Sequence, residues 1–215
     1  MGKVFIFLLL GGFVGPDGYA VSPGILVLAH RLRTFGEVST HNWSARDDVT
    51  QRIAALSPND KVVLIGYSGG GFAITEVAQD LDRNPPHRVD LLIAYDPSPT
   101  WSVKSIGNNV AKAICYCNDL PLFFGMGGAK LKGANVETVA ITEPHPVVQF
   151  DERSHRRTIA EVEKLATSHN EKPVANNKPS GRVEPYAVPD HYSGRSQSSK
   201  MPAGQTSQPS FRSSE

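Results

Sequence analysis

Lys61-Val62-Val63-Leu64-Ile65-Gly66-Tyr67-Ser68-Gly69-Gly70-Gly71-Phe72 is the stretch on which the reading of this 215-residue chain turns. Its first half is a short apolar run rich in β-branched side chains, the pattern of a strand buried on both faces of a parallel sheet. Its second half, Gly66-Tyr67-Ser68-Gly69-Gly70, fits G-x-S-x-G, in which a serine occupies a sharp turn between a strand and a helix. Phe72, Ala73, Val77, Ala78 and Leu81 then recur at helical spacing as far as about Arg83. Without the strand before it and the helix after it, the same pentapeptide would read as a flexible turn.

That setting explains the residue types. A serine on such a turn is held in a strained backbone conformation with its oxygen lifted over the sheet edge. A Cβ at position 66 or 70 would collide with the neighbouring strand or helix. The following helix directs unpaired N–H groups and the positive end of its dipole at the serine, which favours an anion formed there.

Toward the N-terminus, Val4-Phe5-Ile6-Phe7-Leu8-Leu9-Leu10 and then Gly11-Gly12 read as a first strand and its glycine loop. Met1-Gly2-Lys3 ahead of this run imitates a secretory leader, but Gly18-Tyr19-Ala20 makes a poor cleavage site. The run is also too short to anchor in a bilayer, so no stable membrane insertion is expected. The strand is the favoured reading, and with it a cytoplasmic location; a leader over residues 1–20 would instead mean secretion.

Gly15-Pro16-Asp17-Gly18 signals a turn. Ser22-Pro23 then opens a helix that carries Ile25, Leu28, Ala29 and Leu32 and stops at Gly36. Residues 37–41 read as a short second strand. Asp47 or Asp48 caps a helix with Val49, Ile53 and Leu56, which Ser57-Pro58 ends. Beyond the central stretch, residues 89–95 read as a buried strand running into Asp96-Pro97. Residues 110–116 fit helix or strand, and 123–133 a glycine-rich loop. Residues 136–141 form the last predicted strand and 158–166 the last predicted helix.

Strands that alternate with helices imply right-handed βαβ units. The expected fold is α/β: a three-layer α/β/α sandwich on a mostly parallel sheet of about five or six strands, over residues 1–168. Residues 169–215 are dominated by Ser, Pro, Asn, Gly and Gln with few large apolar side chains. Such a segment cannot bury enough surface to offset its ordering entropy and reads as a disordered tail.

The formal net charge is +1, which leaves no electrostatic footprint for nucleic acid. Cys115 and Cys117, two residues apart, are taken as too close in sequence for an ordinary structural disulfide. No Cys/His spacing suggests a zinc site, and no other metal or cofactor is implied.

In parallel sheets ligands bind beyond the carboxyl ends of the strands. Ser68, Asp96, Gly12 and His145 all follow predicted strands and so share that edge. An alcohol is a poor nucleophile at neutral pH and needs a base within hydrogen-bond reach. Of seven histidines, His145 in Thr142-Glu143-Pro144-His145-Pro146 is placed to hang over the edge near Ser68. His155, at the start of the last helix where it would cap or face solvent, is the nearest rival; His41, after an outer strand, is another. Asp96 suits the acid that orients the imidazole, although Asp-Pro is also a common turn element; Asp119 and Asp151 are alternatives. An oxyanion hole requires two preorganised donors. The Gly69 N–H supplies one, and the loop after the first strand the other, through the Phe13 N–H with Gly12 close behind.

Taken together, these residues resemble the α/β-hydrolase superfamily, in a small form similar to lipase/esterase and cutinase-like serine hydrolases. The likeness rests on Leu10-Gly11-Gly12, Gly66-Tyr67-Ser68-Gly69-Gly70, Asp96 and His145 in the order Ser…Asp…His, and covers about residues 3–167. It implies a serine esterase that works through an acyl-enzyme on a small-molecule or lipid-like ester or thioester; the same triad also serves amidases and peptidases. No insertion is long enough for a separate cap domain. Any lid would come from residues 98–133, where Trp101, Leu120, Leu122, Phe123, Phe124 and Met126 form either an apolar acyl-binding flap or simple packing under a loop. Two other readings stand beside it: a phage or bacterial cell-envelope esterase with a tethering tail, and a non-catalytic binding module on a hydrolase fold.

Overall fold

The computed structural model describes residues 2–12, 21–83, 87–98, 105–118 and 128–168. Six strands form one sheet: β1 (Val4–Leu10), β2 (Glu37–Asn42), β3 (Lys61–Tyr67), β4 (Leu91–Tyr95), β5 (Ala113–Asn118) and β6 (Val136–Ile141). Their order is β2-β1-β3-β4-β5-β6, and every neighbouring pair is parallel. The helices are α1 (Pro23–Leu32), α2 (Arg46–Ala54), α3 (Gly69–Leu81), the short α4 (His145–Val148) and α5 (Glu152–Ser168).

Period-two alternation on the strands builds a core on each face of the sheet. Val62 and Leu64 of β3 join Phe7, Leu9, Leu92, Ala94 and Cys115 beneath α2 and α3. Val63, Ile65 and Tyr67 join Ile6, Leu8, Ile93, Tyr95 and Tyr116 beneath α1 and α5. Because both faces are covered, the central strands carry apolar side chains on both faces through their middles, which is why Val4–Leu10 and residues 62–65 read as continuous hydrophobic runs. The three-layer parallel architecture expected from the alternation of elements is what the chain adopts. No helix among the described residues is long and apolar enough to cross a membrane.

Several boundaries differ from the sequence reading. The stretch that fitted helix or strand is β5, shifted to Ala113–Asn118. The last helix begins at Glu152, six residues before the predicted start. Its first turn is charged and polar, so apolar spacing gives no sign of it; the Asp151 carboxylate defines the start by accepting from the Ser154 N–H at 2.9 Å. Cys115 and Cys117 are joined in a disulfide, contrary to the expectation from their spacing. Residues i and i+2 of a strand share a face, and here their Cα atoms lie 5.6 Å apart, within bridging range. The predicted tail, residues 169–215, lies outside the described residues.

Candidate active site

After β1 the chain crosses to β2 on one side, then returns to place β3 on the other. The carboxyl ends of β1 and β3 therefore flank the point where the winding direction reverses, the position at which open parallel sheets bind ligands. Gly11-Gly12 leaves β1 there, and Ser68 leaves β3.

Ser68 links β3 directly to α3 at φ 53° and ψ −118°, a conformation that side chains other than glycine rarely adopt. Its surroundings hold it in place. The Ser68 N–H donates to the Tyr95 carbonyl at 3.0 Å, and the Ser68 carbonyl accepts from Ser98 at 3.1 Å and Phe72 at 3.3 Å. A Cβ on Gly66 would run into the Gly70 carbonyl, and one on Gly70 into the Leu9 carbonyl, so the turn closes only with glycine at both flanks. Gly69 contributes the first N–H of α3, one of those a helix leaves without an intrahelical acceptor.

His145 opens α4 after β6, buried at 5 % exposure, and its Nε2 lies 3.0 Å from Ser68 Oγ. Its Nδ1 lies 2.6 Å from Asp96 Oδ2. Asp96 follows β4, is fully buried and has a positive φ of 42°. The other carboxylate oxygen, Oδ1, accepts from the Asn118 N–H at 3.0 Å and the Gly128 N–H at 2.7 Å. Ser68, His145 and Asp96, contributed by the ends of β3, β6 and β4, are thus joined in one hydrogen-bonded series.

The other candidates go elsewhere. His155 neither caps α5 nor faces solvent; it is 2 % exposed and meets Tyr95 edge-on, with ring centroids 5.9 Å apart. It is buried because Ser154, His155, Thr158 and Val162 form the inner stripe of α5. Burial holds its pKa below the ordinary value, an effect the Gln149 carbonyl opposes. His41, on the edge strand β2, bonds through Nε2 to Ser39 Oγ at 2.9 Å. Asp151 is occupied in capping α5. Gly12, at φ 122°, directly follows Gly11, on which an added Cβ would lie 2.9 Å from Ser68 Cβ, whereas Phe13, Asp119, Trp101, Leu120, Leu122, Phe123, Phe124 and Met126 lie outside the described residues.

Three residues that sequence reasoning passed over support the site. Tyr67, the variable residue of the motif, stacks against the His145 ring with centroids 5.1 Å apart and donates its hydroxyl to the His145 carbonyl at 3.1 Å. Asn118 serves Asp96 through its backbone and, through its side-chain amide, donates to the Glu143 carbonyl at 2.7 Å. Gln149 accepts from the Gly24 N–H and donates to the Val21 and Pro146 carbonyls, all at 3.1 Å, tying α4 to the start of α1. Only the place of Tyr67 inside the motif hinted at such a role; the other two carry no local signal. Among the described residues no group of three or more His, Cys, Asp or Glu side chains could hold a metal ion.

No family model matches the sequence, and no curated protein matches it. Among solved structures the chain is similar to a protein from Xanthomonas campestris pv. campestris described as a hydrolase of the alpha/beta superfamily. That likeness has a TM-score of 0.47 and 14% identity, and covers 77% of this chain and 99% of the other. The chain is also similar to ESTFA in an Fe-lacking apo form, with a TM-score of 0.43 and 11% identity over 78% of this chain and 77% of the other. A Pyrobaculum calidifontis esterase matches with a TM-score of 0.43 and 12% identity over 79% and 77% of the two chains. The functional reading is therefore carried by the chain's own residues.

Proposed function

We propose that the protein is a serine hydrolase that cleaves a carboxylic ester or thioester through an acyl-enzyme on Ser68. What supports this above all is the series Asp96–His145–Ser68, with contacts of 2.6 and 3.0 Å, at a serine whose backbone is strained. A serine strained and hydrogen-bonded in this way has been arranged at a cost to stability, which a plain turn would not require.

In the proposed mechanism Ser68 Oγ attacks the acyl carbonyl while His145 Nε2 takes its proton. The resulting oxyanion is met by the Gly69 N–H, with the second donor drawn from the loop at Gly12 and Phe13. Collapse of the intermediate breaks the bond to the alcohol or thiol, which leaves with the proton held by His145. Water then attacks the acyl-enzyme, giving a proton to His145, and as the bond from the acyl carbon to Ser68 Oγ breaks His145 returns that proton to Oγ, releasing the acid and regenerating the Ser68 hydroxyl. Asp96 keeps the Nδ1 proton in place and stabilises the imidazolium at both stages.

Labelling by a fluorophosphonate probe tests this in the wild type, Ser68→Ala and His145→Ala. Strong labelling lost in both variants is the expected result. A folded wild type that does not label overturns the reading, and labelling that survives His145→Ala removes His145 as the base.

A further inference from the structure

Nothing in G-x-S-x-G requires an aromatic ring before the serine, yet Tyr67 holds His145 at two points. Its ring faces the imidazole with centroids 5.1 Å apart and planes 22° apart. Its hydroxyl donates to the carbonyl of the same residue at 3.1 Å. Tyr67 is 4 % exposed and pairs with Tyr95 at the end of β3, a strand flanked on both sides, so the ring has little freedom to turn. Burial, and after it the Asp96 carboxylate, push the phenol far above its ordinary pKa, so the hydroxyl remains a donor.

We propose that Tyr67 is a positioning residue for His145, which it favours in the imidazolium form through its ring and fixes over Ser68 through its hydroxyl. This role rests on the serine-hydrolase reading. The face of an aromatic ring is electron-rich and attracts a cation within about 6 Å of its centroid. A neutral imidazole gains far less from the same face. In the proposed mechanism the imidazolium exists only once His145 has taken a proton from Ser68 or from water. The interaction is thus stronger in the transition state than in the resting enzyme, and it acts on kcat rather than KM.

The test uses the full chain and hydrolysis of a short-chain p-nitrophenyl ester, with rates normalised to the serines that a fluorophosphonate labels. Tyr67→Leu removes both contacts, and kcat is expected to fall ~10–100-fold with KM changed less than about twofold. Tyr67→Phe keeps the ring and is expected to restore about half of that loss on a logarithmic scale, remaining ~3–10-fold below the wild type. A series of phenylalanines carrying successive ring fluorines at position 67 preserves shape while draining charge from the ring face, so it decides the matter even if Tyr67→Leu fails to fold. A stepwise fall in kcat with each fluorine supports the role. A flat series, or a loss borne entirely by KM, overturns it while leaving the hydrolase reading intact. A wild type that does not label overturns the hydrolase reading and this role together.

Discussion

Asp96 Oδ2 lies 2.6 Å from His145 Nδ1, and the opposite oxygen of the same carboxylate is held by the N–H groups of Asn118 and Gly128. The carboxylate therefore cannot rotate away from the imidazole without abandoning two backbone donors. Asp96→Asn keeps the shape and changes the chemistry. With the amide oxygen retained by Asn118 and Gly128, the NH2 group faces Nδ1 and forces the ring proton onto Nε2, where it can no longer accept from Ser68. The rate of ester hydrolysis is expected to drop by ~10³–10⁴ with the fold unchanged, as checked by steady-state kinetics and circular dichroism.

Gly66→Ala places a Cβ against the Gly70 carbonyl and 2.8 Å from the Gly71 nitrogen, all of them backbone that cannot move aside. The variant is expected to lose about 1–3 kcal/mol in urea unfolding, and its Ser68 to label more slowly because the turn itself must shift.

Gln149→Ala is expected to cost about 1–3 kcal/mol, since the buried Gly24 N–H and two carbonyls lose their partner. Gln149→Glu retains the acceptor for Gly24 and loses both donated bonds, so its urea midpoint should fall below that of the wild type as well.

His155 resists protonation in the fold because it is buried, whereas in the unfolded chain it titrates near its ordinary value of 6.5. Below that value the unfolded state binds the extra proton, so stability falls with pH until the lowered folded pKa is reached. His41 is shifted in the same direction, by burial first and by Arg52 second. Urea midpoints measured between about pH 7 and about pH 5 should decline in the wild type, less in His155→Gln, and least when His41→Gln is added.

The layered parallel fold was legible because Val4–Leu10 and residues 62–65 are unbroken apolar runs and α1 and α3 carry apolar residues at helical spacing. The polar first turn of α5 and the paired cysteines of β5 escaped, since their arrangement depends on what packs against them. In the candidate site, Ser68 could be singled out from a dozen consecutive residues. Its partners could only be ranked by the strands they follow.

By itself, then, the sequence determined the alternation of strands and helices, the glycine-flanked turn at Ser68 and the edge of the sheet where chemistry would gather. These are local properties, written in periodicity and in the steric demands of a few neighbouring residues. Only the tertiary structure decided that His145 rather than His155 or His41 meets Ser68, across 77 residues, and that Asp96 rather than Asp151 meets His145, across 49. The sheet order brings the ends of β3, β4 and β6 to one edge, and buried contacts from Tyr67 to His145 and from the Asn118 N–H to Asp96 hold the side chains there. Encounters at that range are set by packing, of which no short stretch of sequence carries a trace.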